Sequence, residues 1–134
     1  MIELKTIKLK TPEREILVDL TSEIVKIISE SKIQMGVCRL FVPHTTAGIT
    51  INENADPSVK SDIINYLAKL IPQRAEFKHM EGNSDAHIKS SLMGPSLDVL
   101  INNGKLVLGT WQGIFFCEFD GPRNRKLHIQ IQGV

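Results

Sequence analysis

From Leu97 to Ile131 the chain leaves no room for a long helix, because turn signals interrupt it every few residues. Apolar runs at 97–101 and 105–108 flank Asn103-Gly104, the dipeptide suited to the primed turn of a two-stranded hairpin. Residues 114–119 and 127–131 read as two further strands, separated by Asp120-Gly121-Pro122-Arg123. In the last of them Leu127, Ile129 and Ile131 share one face. His128, Gln130 and Gln132 share the other, which should meet water or another subunit. Strands joined by short turns pair antiparallel. The expected fold class is therefore α+β, a largely antiparallel sheet with two to three helices.

The first two-thirds supplies the helices. Ile2, Leu4, Ile7 and Leu9 alternate with one slip of register, as a strand with a bulge would, and residues 15–20 form a second strand. Thr21 is placed to cap a helix with Ile24, Ile27 and Ile28 on its apolar stripe. Residues 37–42 suit a central strand, and 49–52 resume an extended pattern. Asp56-Pro57 then starts a helix whose buried face is Val59, Ile63, Leu67 and Leu70. A short helix over 86–93, capped by Ser84 or Asp85, ends at Gly94-Pro95. With 134 residues and no linker or repeat, the chain reads as one domain, 1–134.

Charge excludes several functions. Sixteen basic side chains balance fifteen acidic ones for a net +1, without runs of like charge, so no nucleic-acid or membrane-binding surface is expected. No apolar run is long enough to span a bilayer. Cys38 and Cys117 lack a CxxC partner and read as buried free thiols of a cytoplasmic protein.

Four polar segments are candidates for chemistry. Pro43-His44-Thr45-Thr46-Ala47-Gly48 places a histidine and two hydroxyls beside small residues, which suits an anion or a metal-bound phosphate; the alternative is that the hydroxyls serve the turn backbone. In Asn52-Glu53-Asn54-Ala55-Asp56, Glu53 is a base or a ligand and Asp56 a helix cap. The segment from His79 to His87 holds half of the four histidines, with Glu81, Asn83 and Asp85 between them. Their spacing of eight is not the i,i+4 pair of a helical zinc site, so they meet only if the intervening loop folds back. HExxH, Walker A and GxSxG motifs are all absent. Finally, Trp111 and Gln112 offer a stacking surface or core filler. Arg123 and Arg125, two apart, form a phosphate clamp or a pair of surface ion pairs.

Taken together, His44-Thr45-Thr46-Ala47-Gly48, Asn52-Glu53-Asn54, Asp56-Pro57 with Asp62, and His79 followed by Asn83-x-x-Ala86-His87 resemble the YjbQ family. Leu108-Gly109-Thr110-Trp111-Gln112 and Glu118-x-Asp120-Gly121-Pro122-Arg123-x-Arg125 extend the resemblance over nearly the whole chain. The resemblance implies a homotrimer of YjbQ-like α+β domains. It also implies a weak thiamine-phosphate synthase activity, a transferase coupling a pyrimidine diphosphate to a thiazole phosphate. His44, His79 and His87 become expected ligands of a divalent metal, zinc by ligand type and magnesium by the diphosphate. Glu53, Asp85, Glu118, Arg123 and Arg125 become expected catalytic residues. Thr45, Thr46, Gly48, Asn83, Trp111 and Gln112 become expected ligand contacts. Two alternatives accompany this reading: a metal-dependent hydrolase or lyase of a small phosphorylated metabolite, and a non-catalytic trimer that binds one.

Overall fold

The computed structural model describes residues 1–134. In chain order it contains β1 (Ile2–Lys10), β2 (Ile16–Asp19), α1 (Thr21–Ser31), β3 (Met35–Phe41) and β4 (Ala47–Glu53). These are followed by α2 (Pro57–Leu70), α3 (Ser84–Met93), β5 (Ser96–Asn102), β6 (Lys105–Leu106), β7 (Gln112–Glu118) and β8 (Asn124–Gly133). The strands form two sheets, β1-β8-β3-β5-β6 and β2-β7-β4, and every pairing is antiparallel. The α+β expectation holds, with three helices and two sheets in place of one.

Alternation along β7 explains the layering. Ile114 and Phe116 point into the main core, where they meet Leu40 of β3, Leu127 and Ile129 of β8, and Ile24 and Ile28 of α1. Phe115, Cys117 and Phe119 point the other way, onto a second core with Ala86 of α3 and the half-buried Ile63, Ile64 and Leu67 of α2. The five-stranded sheet, the three-stranded sheet and the α2/α3 pair therefore stack in that order. Cys38 lies in the main core and Cys117 in the second, so both remain buried free thiols.

Local signals place most elements. Asn103 and Gly104 both take positive φ, 53° and 73°, which the β5–β6 hairpin turn requires. Asp56 caps α2, accepting the Ser58 N–H at 2.9 Å, with Pro57 at the first helical position. The face expected to be buried on α2 is only half-buried at Val59, Ile63 and Leu67, and Leu70, the last residue of the helix, is exposed. Thr21 is not the cap of α1. It is the first helical residue, and Asp19 accepts both its N–H and its hydroxyl. Its hydroxyl in turn accepts the Ile114 N–H, which ties α1 to β7.

The bulge expected in β1 does not form. Its register against β8 runs unbroken from Ile2 opposite Gln132 to Lys10 opposite Asn124. Leu9 and Ile7 face the main core, whereas Ile2 and Leu4 lie exposed on the outer face. What looked like a slip is a strand whose apolar residues change face midway. That outer face also exposes Phe41 and Leu100. No helix is long and apolar enough to cross a membrane.

Candidate functional site

A cavity of about 450 Å³ opens where the β3–β4 turn, the loop before α3 and the β7–β8 connection meet. Eleven residues line it and none is hydrophobic. His44, Thr45 and Thr46 come from the first segment; His79, Glu81, Asn83 and His87 from the second; Asp120, Arg123 and Arg125 from the third. Three segments remote in sequence thus converge, and His79 and His87 do meet. Their ring centres lie 5.4 Å apart, edge to face.

The loop folds back because α3 begins at its end. Its N-terminus has no side-chain cap, and Asn83 instead donates its Nδ2 to Asp120 Oδ2 at 2.9 Å. Asn83 Oδ1 is the one buried side-chain polar atom without a hydrogen-bond partner. The helix is pulled against β4 at Gly48, where a Cβ would lie 2.9 Å from the Gly94 carbonyl oxygen and 3.0 Å from Met93 Cβ. The role expected for Gly48, ligand contact, is therefore corrected. Its missing side chain admits α3.

Two buried carboxylates frame the cavity. Glu118 accepts from Arg125 Nε at 2.8 Å, the Thr11 hydroxyl at 2.7 Å and the Asp120 N–H at 2.9 Å. Arg125 also donates to Thr46 Oγ1, and Thr11 Oγ1 accepts the Arg123 N–H. Asp85 is fully buried, accepting from both Nη atoms of Arg14 and from Lys89 Nζ at 2.9 Å; Lys89 also pairs with Glu15. Burial by itself would raise each carboxyl, but hydrogen bonds from Arg125 and Thr11 hold Glu118 below the usual range. Those from Arg14 and Lys89 do the same for Asp85. Neither acid is free to take a proton from a ligand. Their expected catalytic role is corrected to holding β7, β8 and α3 in place.

The arginines are also committed. Arg125 is buried on Glu118, so it faces the cavity already neutralised. Arg123, half exposed, folds back onto Asp120 through Nε and Nη2 at 2.7 and 2.9 Å and keeps the rest of its guanidinium for a ligand. His44 accepts the Lys126 N–H at Nε2, 2.9 Å away. Its proton then sits on Nδ1, and neither ring nitrogen has a lone pair to spare. Burial and the nearby Arg125 charge lower its pKa, consistent with a neutral ring. No three His, Cys, Asp or Glu side chains converge closely enough to hold a metal ion as placed.

Glu53, Trp111 and Gln112 lie elsewhere. Glu53 pairs with Gln112 at one end of the β4–β7 ladder, whereas Ala47 pairs with Glu118 at the cavity end. Six strand residues separate the two ends by about 20 Å. Trp111 is exposed there, and Gln112 accepts the Gly109 N–H. Reasoning from sequence missed Asp120 and Glu81 as cavity residues, although both sit inside motifs that pointed here.

The profile of the family described as UPF0047 protein YjbQ-like matches residues 5–134. The chain belongs to the UPF0047, YjbQ-like family. A UPF0047 protein of Methanocaldococcus jannaschii is 63% identical over 94% of this chain and 91% of its own length. YugU of Bacillus subtilis is 50% identical over 97% and 99%. Among solved structures, a yjbq/upf0047 family protein of Clostridium acetobutylicum superposes with a TM-score of 0.94 at 53% identity, covering 96% of this chain and 99% of that one. A protein of Sulfolobus solfataricus P2 does so at 0.96 and 33%, covering 100% and 99%, and is described as of unknown function.

These UPF0047 relatives carry no thiamine-phosphate synthase activity in their descriptions, which overturns that expectation. The geometry gives a physical reason as well. The ring expected to stack on an aromatic heterocycle, Trp111, lies outside the cavity at the far end of the β4–β7 ladder.

Losing the Glu118 carboxylate would leave Arg125 buried without its partner. Glu118→Gln should cost about 3 kcal/mol at pH 7 by urea unfolding. Glu118 and Asp85 have folded pKa values below their unfolded ones, so their stabilisation is complete above the ordinary carboxylate range. It drains away as pH falls below about 4. The variant should show a shallower acid decline, and equal stability of the two proteins at pH 7 would contradict this role.

Proposed function

We propose that the cavity binds a small phosphorylated metabolite, with His79 and His87 placed to exchange protons with it. The observation that carries this is the uncapped N-terminus of α3 beside a cavity that no hydrophobic side chain lines. Free backbone N–H groups at a helix start, together with the helix dipole, favour an anion. The remaining guanidinium of Arg123, the Thr45 hydroxyl and the two imidazoles would add donors around it. Asn83 Oδ1 would gain the partner it lacks from a ligand hydroxyl or an acidic phosphate proton. Glu81 and Asp120 keep the lining from being uniformly positive, which favours a ligand with hydroxyl donors as well as a phosphate. Inorganic phosphate should bind by calorimetry, and Arg123→Ala and His87→Ala should each weaken it about tenfold, the loss of one charge-assisted hydrogen bond. His128→Ala, on the outer sheet face, should not. Equal affinity in all four proteins would sink the proposal.

A second reading has one observation behind it. Two imidazoles on a tetrahedral zinc have ring centres about 5 Å apart, close to the 5.4 Å between His79 and His87. Zinc would be held there by these two rings, with Glu81 near His79, and would supply a Lewis acid for the phosphate oxygens. Magnesium prefers oxygen ligands, and Asp120 already serves Asn83 and Arg123, so this pair favours zinc. About one zinc per chain by elemental analysis, lost in His79→Ala and kept in His44→Ala, is the expected result. Failure to take up zinc on dialysis would remove it.

We also propose that the chain forms a homotrimer through one end of the outer face of the five-stranded sheet, where Ile2, Leu4 and Leu100 are exposed, away from the Lys8–Lys126 end. Leu100→Lys should convert a trimer to monomer in sedimentation. A wild-type chain that sediments as a monomer would overturn this.

A further inference from the structure

Beside the histidine cavity, and sharing His44 and Arg125 with it, lies a second hollow of about 520 Å³. Lys8, Lys10, Lys126 and Asn124 form the rest of its polar lining, and it contains no acidic side chain. The lysines are held together by strand register. Lys8 lies directly opposite Lys126 across the β1–β8 ladder, and Lys10, two residues on, shares the face of Lys8. Like charges directly opposite one another destabilise a sheet pair. Each ion pair in the protein involves other residues, so no ion pair offsets this repulsion between the exposed lysines. An anion seated among the three would relieve it.

The surroundings indicate what kind of anion. The chain's net charge is only +1, and the lysines line a hollow of metabolite size, not a long track. That argues for a small ligand over a nucleic acid, whose binding needs a broad basic surface. His44 is the boundary between the two hollows, fixed in place by the Lys126 N–H.

We infer that the lysine hollow is a second anion subsite, so that the metabolite carries two anionic groups joined by a short linker, one in each hollow. This rests on the histidine cavity binding the first phosphate. The probes are inorganic phosphate and a series of alkane bisphosphonates with linkers of two to six carbons, measured by calorimetry. Bisphosphonates of one preferred length should bind at least tenfold more tightly than inorganic phosphate. Lys8→Gln and Lys126→Gln should erase that gain, so that each variant binds the preferred bisphosphonate no more tightly than it binds inorganic phosphate. Both variants should melt at the wild-type temperature or above, because each removes a repulsion. A gain that persists in the lysine variants, or no gain at any linker length, would overturn the second subsite alone. Absence of inorganic phosphate binding in the wild type would instead overturn the first site on which it depends.

Discussion

The ion pair between Glu118 and Arg125 joins the two sheets at the edge of the cavity, and three site segments hang from it. Glu118 ends β7 and Arg125 is the second residue of β8, so their pairing fixes how one sheet lies on the other. Through Thr46 it reaches the turn that carries His44, and through Thr11 it holds the backbone of Arg123. Through the Asp120 N–H it shapes the connection that receives Asn83. Burying two charges is costly, and the cost is met only because the carboxylate is saturated with donors. A hydrophobic pair of similar volume would also join the sheets, but it would hold no polar segment in register.

A second buried network, Arg14–Asp85–Lys89–Glu15, performs the corresponding task for α3. It pins the helix from the side away from the ligand, leaving its N-terminus and His87 to the cavity. The site thus divides its charged residues in two. Those paired with a fully buried carboxylate or lysine build the frame, and the more exposed ones, namely His79, His87, Glu81 and Arg123, remain for a ligand.

That division was not legible in the sequence. Glu118, Asp85 and Arg125 stand in the same motifs as the cavity residues and have the residue types expected of catalysis. What separates them is the partner each finds: Asp85 meets Arg14, 71 positions away, and Glu118 meets Thr11, 107 away. Local features were readable because their causes are local. Asn103-Gly104 makes its own turn, Asp56 caps its own helix, and the alternation of β8 needs only one buried face. The convergence of His44, His79 and His87 on one cavity was expected from family likeness and is seen, while Trp111 and Glu53 lie at the opposite end of a strand ladder. A motif can be shared by a family without belonging to the same pocket of one chain.

The central claim is that the histidine cavity receives an anion at the start of α3. Its most direct test is to follow the imidazole nitrogens of all four histidines by NMR while inorganic phosphate is added. The account predicts saturable shifts at His79 and His87, with His128 unmoved and His44 keeping its proton on Nδ1. Shifts confined to His128, or none at any histidine, would contradict it.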